Sequence, residues 1–508
     1  MAVKMIVQLV LLVIIIFANL IYLQHMWKIY TYWKKRGVVG PTPFPVVGNY
    51  KSVLFGTETE ADFLRKLYEQ YPNEKFVGFY KGIRPVLLIR DPDYIRCVLI
   101  RDFDHHSDRC LENFLHVFKR SLFIMRGDAR WKTMRLSLSP MFTKMNIEKS
   151  IPLIKNAADK YLKFVDYLVK NNIDHEIAHL KTRYAVQVIG NIILGLDLGI
   201  FEDTNEFQNV FRIMLERILK VSPIHTYAYI FPLIVDMLTP KIHREFNKRV
   251  YSGLQKFLTS MIYEPRDNKT PRHTYFDYMI NLKENCKIRN GKVSPQIDDE
   301  DIVQQITTFV LASYDTAAIV MSFMIHELAV HQDIQEKCYK EVRTIFEKYN
   351  GEVTSESLYE LIYLDMTLDE ILRLHSPTNC LDRKSVSEYT FPNTNLTIDK
   401  STFIFVSTHG LQRDPKYFPN PDVFDPERFS SENKAKIPPY VYMPFGLGPR
   451  VCIGSRQAKT VILIGMACFL QKYKVSPSSK TASTIKYDPG TLIPRCLGGV
   501  WVKIEPRN

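Results

Sequence analysis

One cysteine in this chain stands where ordinary packing gives no reason for it. It lies in the run Pro444-Phe445-Gly446-Leu447-Gly448-Pro449-Arg450-Val451-Cys452-Ile453-Gly454, just ahead of an apolar helical pattern over residues 453–470. Gly446 and Gly448 permit backbone angles that other residues resist, and Pro449 stiffens the residues after them, so a tight, pre-formed turn is expected. Helix N-termini favour negative charge, and backbone N–H groups in the loop can point at the sulfur and tune its donor strength. This layout presents a thiolate to a bulky flat cofactor. Gly454 removes a side chain where the helix would approach such a ligand, and Arg450 offers a bidentate fork to a carboxylate. The plain alternative is a buried free cysteine.

A second constellation is Ala312-Ser313-Tyr314-Asp315-Thr316-Ala317. It falls inside residues 295–330, which read as a long helix with acids at its start (Asp298, Asp299, Glu300, Asp301) and apolar residues on nearly every face beyond. A carboxylate there is costly without partners. Thr316 can bond the Ala312 carbonyl and loosen the helix locally; a simple hydrogen-bonded bend would look the same. Glu370 and Arg373 are three apart in the helical run 361–374 and share one face. Trp131 and Arg135, at i and i+4, also point one way.

Phe445, Gly448, Arg450, Cys452 and Gly454 fill the pattern Phe-x-x-Gly-x-Arg-x-Cys-x-Gly without departure. The chain thereby resembles the haem-thiolate monooxygenases, the cytochrome P-450 family, and the resemblance extends over nearly its whole length. It implies a mainly α fold with small β-sheets and a haem b (iron-protoporphyrin IX) cofactor. Cys452 would be the proximal iron ligand, in a loop whose matched positions include Phe445 and Gly454. Arg450, Trp131, Arg135 and Arg383 would serve the haem propionates. Asp315 and Thr316 match the acid and alcohol that deliver protons to dioxygen. Glu370, Arg373 and Arg428 (in Phe424-Asp425-Pro426-Glu427-Arg428-Phe429) would form a buried network behind the cysteine loop. Ser313 and Ala317 depart from the family's usual glycine and second hydroxyl residue, and Ser376 stands where proline is more usual. The segment from Glu432 through the cysteine loop is most similar to insect microsomal, xenobiotic-metabolising members.

The surrounding chain fits such a site. It has 508 residues, 46% hydrophobic, enough for one large core. Eight scattered cysteines form no C-x-x-C pair, which excludes a disulfide scaffold and a zinc site. The formal charge of +13 comes without a nucleic-acid motif and suits anionic lipid or an acidic protein partner. Residues 5–23 (MIVQLVLLVIIIFANLIYL) are about long enough to cross a bilayer at ~20 residues. Lys28, Lys34, Lys35 and Arg36 come after them and only Lys4 precedes, which puts the remainder in the cytosol. A cleaved signal peptide is disfavoured by the length of the stretch. Sequons at Asn268 and Asn395 should then stay unmodified. The expected plan is a membrane anchor with its basic flank over residues 1–36, a proline-rich hinge over 37–50 and a catalytic domain over 51–508.

No strand–GxGxxG–helix unit is evident, so electrons must come from outside. The resemblance implies NADPH–cytochrome reductase as donor, with cytochrome b5 as a second candidate, and residence in the endoplasmic reticulum membrane. Arg130, Lys132, Arg135 and Arg456 are candidates for the donor's docking face. The implied reaction puts one oxygen atom of O2 into a small lipophilic substrate and releases the other as water. A haem-thiolate isomerase or dehydratase, rearranging peroxides without a reductase, is the alternative. By family position the cavity would draw on Phe114, Phe118, Phe123, Phe309, Ala312, Cys380, Leu381, Leu492 and Ile493, and residues 227–238 could form a lid dipping into the membrane surface.

Overall fold

Acidic residues cap several of the main helices, Asp128, Glu176 and Asp298 among them. In this computed structural model the described residues are 17, 24–110, 118–171, 176–201, 253–263, 274–284, 297–491 and 493–507. The proposed lid, Phe114, Leu492, Asn268 and all of the anchor stretch except Phe17 lie outside them.

The helices that position the site are α1 (Ala129–Leu138), α2 (Lys144–Lys170), α3 (Ile177–Ile189), α4 (Asp299–Val330), α5 (Gln332–Lys348), α6 (Ile362–Leu374) and α7 (Ser455–Lys472). α4 opens with a capping box: the Asp298 carboxylate accepts from the Asp301 amide, and the Asp301 carboxylate accepts from the Asp298 amide. Beyond that turn α4 is apolar on most faces and buried, as a central core helix must be. It is long and apolar enough to cross a bilayer, yet it is wrapped by protein.

Strands β1 (Phe76–Lys81), β2 (Arg84–Ile89), β3 (Cys380–Lys384) and β4 (Phe403–Ser407) make a mixed sheet in the order β1-β2-β4-β3. β1 and β2 form an antiparallel hairpin, β2 runs parallel to β4, and β3 returns antiparallel to β4 with Arg383 opposite Ile404. Two two-stranded ladders complete the β content among the described residues; one pairs β5 (Tyr473–Pro477) with β6 (Val502–Pro506). The molecule is thus mainly helical with small sheets.

Two apolar cores result. One surrounds α4 and holds α2, α3 and α7; the other covers the four-stranded sheet. The cysteine loop lies on the seam, since Phe445 and Ile453 pack against the helical core while Met443 and Leu447 belong with the sheet core. The proline-rich stretch lies against this second core as well. Gly78 donates its amide to Val39 (2.8 Å), and Gly48 bridges to Lys81. Trp33 is buried, donates Nε1–H to the Phe79 carbonyl (3.0 Å), and fills the space a side chain at Gly78 would need.

Candidate functional site

The run 444–454 folds as the tight turn its glycines imply. Gly446 and Gly448 both take positive φ, +76° and +72°. A Cβ on Gly448 would sit 1.8 Å from the Leu99 carbonyl oxygen, so backbone meets backbone there. The Cys452 amide donates to the Phe445 carbonyl (2.9 Å), closing the loop on itself. Gly454 is the N-cap of α7, and a Cβ there would touch only Phe142, at 3.6 Å. The Cys452 side chain has open surface although protein encloses it, as does Ala312 in the middle of α4. Such surface faces an internal chamber rather than bulk solvent. Burial raises the Cys452 thiol pKa; the Gly454 amide and the Arg135 and Arg109 cations pull it back.

Guanidinium groups gather beside this loop. Arg450 spends three N–H groups on carbonyls of one neighbouring segment: Ser107 (3.0 Å), Leu122 (3.2 Å) and Met125 (2.6 Å). Its plane lies over the Trp131 ring at 4.2 Å, and Trp131 Nε1–H donates to the same Leu122 carbonyl (3.1 Å). Arg135 donates Nη2–H to the Val451 carbonyl (2.7 Å), next to the cysteine. Arg383, on β3, donates Nη1–H to the Asp382 carbonyl (2.7 Å), and its buried Nε has no partner among the described residues. Arg109, which no motif marks, pairs with Asp382 (3.1 Å), and its buried Nε likewise has no partner among the described residues. Burial and mutual repulsion push Arg383 and Arg450 down to about 9, and Arg135 is lowered too. Among the described residues, Asp108 and Asp382 oppose this repulsion.

On α4, the Thr316 hydroxyl donates to the Ala312 carbonyl (2.7 Å), as its spacing predicts. Ser313 does likewise to Phe309 (2.6 Å). Asp315 is buried, and its Oδ1 accepts from Arg495 Nη2 at 2.6 Å. Burial raises the Asp315 pKa and Arg495 opposes that rise.

Behind the loop, Glu370 and Arg373 are both fully buried and joined by two hydrogen bonds, 2.7 and 2.8 Å. Arg428 approaches Glu370 at 3.5 Å while its Nη groups donate to the Pro419 and Asn420 carbonyls. Gln412 ties this network to the cysteine loop. It accepts from the Met443 amide (3.0 Å), donates to the Leu372 and Arg373 carbonyls, and its own carbonyl accepts from Arg373.

Of the expected cavity residues, Phe118 and Leu381 are buried in packing, and Phe309 is locked edge-to-face with Phe142 and Tyr275. Phe123 is exposed beneath Arg109. On the basic face, Arg130 and Lys132 pair with Asp301 and Asp104 at 2.8 Å each, Arg135 turns inward, and Arg456 is exposed.

With this geometry the comparison with known proteins is decisive: the family model described as Cytochrome P450 matches residues 38–496. The chain belongs to the cytochrome P450 family. It is 31% identical over 497 residues to Cytochrome P450 6B1 of Papilio polyxenes, covering 95% of this chain and 97% of that one. It is 34% identical over 490 residues to Cytochrome P450 6k1 of Blattella germanica, covering 92% of each. A third relative, Cytochrome P450 6B7 of Helicoverpa armigera, is 31% identical over 95% of this chain. Cytochrome P450 proteins are haem-thiolate monooxygenases, so the cofactor is haem. The residues present fit it. An enclosed sulfur has open surface, a glycine leaves room beside it, and the cluster of guanidinium groups suits the propionates.

Proposed function

We propose that this chain is a membrane-anchored cytochrome P450 monooxygenase acting on small lipophilic molecules, foreign compounds or endogenous lipids and hormones. It draws electrons from NADPH through a separate reductase. Residues 1–36 serve as anchor and basic flank, 37–50 as hinge and 51–508 as catalytic domain, set on the cytosolic face of the endoplasmic reticulum membrane. The observation that carries the reading is the pairing of an enclosed, open-surfaced cysteine with an acid and an alcohol on the central helix.

Haem bound through Cys452 supplies dioxygen activation, with the thiolate pushing electron density toward O–O cleavage. The chain's own residues do the rest. Cys452 is the ligand, held by the Phe445 carbonyl and polarised by the Gly454 amide. Arg109, Arg135, Arg383 and Arg450 would hold the propionates, with Trp131 fixing the plane of Arg450. Phe445 closes the loop against the helical core. Thr316 Oγ1–H donates to the Ala312 carbonyl at rest; turned toward the chamber it would relay a proton, giving one up as it receives another at the same oxygen, so that the hydroxyl is left unchanged. Asp315 would carry protons inward at Oδ2, which has no hydrogen-bond partner among the described residues. Enclosure keeps bulk water from competing with the substrate.

The test is oxygen labelling. With 18O2, NADPH and reductase, product from a substrate identified by haem spectral shift should carry one labelled atom, the other appearing in water. Turnover with a peroxide alone, and none with NADPH and reductase, overturns the monooxygenase reading in favour of an isomerase.

A further inference from the structure

We propose that Arg495 is a positioning residue for proton delivery: it keeps Asp315 ionised and turned toward the C-terminal hairpin, with one carboxylate oxygen left free to accept a proton. This rests on the reading of Asp315 as a proton carrier.

Three observations carry it. First, the contact is short and unequal in burial: Arg495 Nη2 lies 2.6 Å from Asp315 Oδ1, with side-chain exposures of 35% and 3%. The cation keeps its water while the anion has lost it, so the carboxylate depends on this partner for its charge. Among the described residues, burial and Arg495 are the influences acting on it. Second, Asp315 Oδ2 is buried and has no hydrogen-bond partner among the described residues. One oxygen is occupied and the other is available.

Third, Arg495 is not a drifting surface side chain on a loose end. Its backbone belongs to a hairpin in which Tyr487 pairs with Cys496, the Asp488 amide donates to the Arg495 carbonyl (2.8 Å) and the Leu497 amide to the Lys486 carbonyl (2.7 Å). That hairpin is bolted to α4 a second time. The Tyr487 hydroxyl lies 3.0 Å from His375 Nδ1, and His375 Nε2 lies 3.0 Å from Glu327, about 18 Å further along α4. Downstream, the Val500 amide donates to Glu176 (2.6 Å). The guanidinium is therefore delivered to Asp315 by a fixed frame. Successive residues on a helix diverge by about 100°. Asp315 thus faces the hairpin while Thr316 faces elsewhere, and a proton collected on the hairpin side must be carried round.

The test uses the full-length holoenzyme as wild type, Arg495→Lys, Arg495→Gln, Asp315→Asn and the double variant. Infrared spectra of the substrate-free protein between pH 6 and 8 read the charge state directly. Arg495→Gln should show a protonated carboxylic acid band that vanishes in the double variant, and Arg495→Lys should look like wild type. With NADPH, reductase and 7-ethoxycoumarin as probe, Arg495→Gln should release several-fold more hydrogen peroxide per NADPH. Adding Asp315→Asn should then cause no further loss. Absence of the new band, or losses that multiply in the double variant, overturns the proposal. If Arg495→Gln does not fold, recovery in the double variant supports an electrostatic partnership, and failure of both overturns it. If Asp315→Asn alone couples like wild type, the proton-carrier reading falls, while the infrared band still decides whether Arg495 holds the charge.

Discussion

Gly448 carries the hardest single-residue constraint in the site. Its positive φ disfavours any side chain, and a Cβ would strike the Leu99 carbonyl. Gly448→Ala should therefore cost more than the ~1–3 kcal/mol of ordinary overpacking and lower haem incorporation, read as carbon monoxide-binding haem per milligram of protein. Cys452→Ser should abolish the red-shifted carbon monoxide band; a persisting band would refute the ligand assignment. Thr316→Val keeps the shape and removes the hydroxyl that reaches Ala312. It should cut product per NADPH toward the lower end of the ~10²–10⁴ range for positioned acid–base groups, with hydrogen peroxide rising to match. The glycine turn and the Thr316 bond were legible beforehand because each is dictated by local backbone rules over a few residues. Arg109 and Arg495 were not, since each meets its partner through space from a distant segment: Asp382 for one, Asp315 for the other.

The α6 helix acts as the back wall of the cysteine loop. Its Glu370–Arg373 pair is fully buried, and such pairs are costly to break one partner at a time. Glu370→Ala would strand Arg373 and leave the Asp425 amide without its acceptor, and should destabilise by about 3–5 kcal/mol. Gln412→Ala loses one acceptor and one donor group and should cost about 1–3 kcal/mol. Thermal melting of the holoenzyme measures both, and the order Glu370 worse than Gln412 is the expected result. The Glu–Arg pair was readable as i,i+3 neighbours on one helix face. Gln412 carries no such signal, because a glutamine acquires its part only when Met443 folds back beside it. The hinge shows the same limit. Proline density predicts a stiff extended path, but only the fold reveals that Val39 and Gly48 run along β1 and that Trp33 is sunk against Gly78.

Across the whole molecule, acid is the vulnerable side. His106 is buried with neither ring nitrogen partnered among the described residues, and burial pushes its pKa down to about 3; His409 is held well below the ordinary range for the same reason. The unfolded chain takes up these protons near pH 6.5, whereas the folded one refuses them until far lower pH. Their contribution is therefore fully present above about pH 6.5 and is lost as pH falls. His106→Phe suits its aromatic neighbours Tyr389 and Phe391. It should flatten the acid limb of the stability curve by about 1.4 kcal/mol per pH unit, measured by denaturant unfolding between about pH 5.5 and 4. An unchanged slope would show that His106 is not kept neutral.

The crowding of arginines at the seam between the two cores bears on biosynthesis. Until porphyrin arrives, Arg109, Arg135, Arg383 and Arg450 repel one another across the junction that joins helices to sheet. Haem propionates placed there would relieve that repulsion and favour closure of the junction. A host starved of iron or tetrapyrrole precursor should accumulate insoluble chains rather than a soluble empty enzyme, and feeding δ-aminolaevulinic acid should raise the soluble yield, not merely the pigment content.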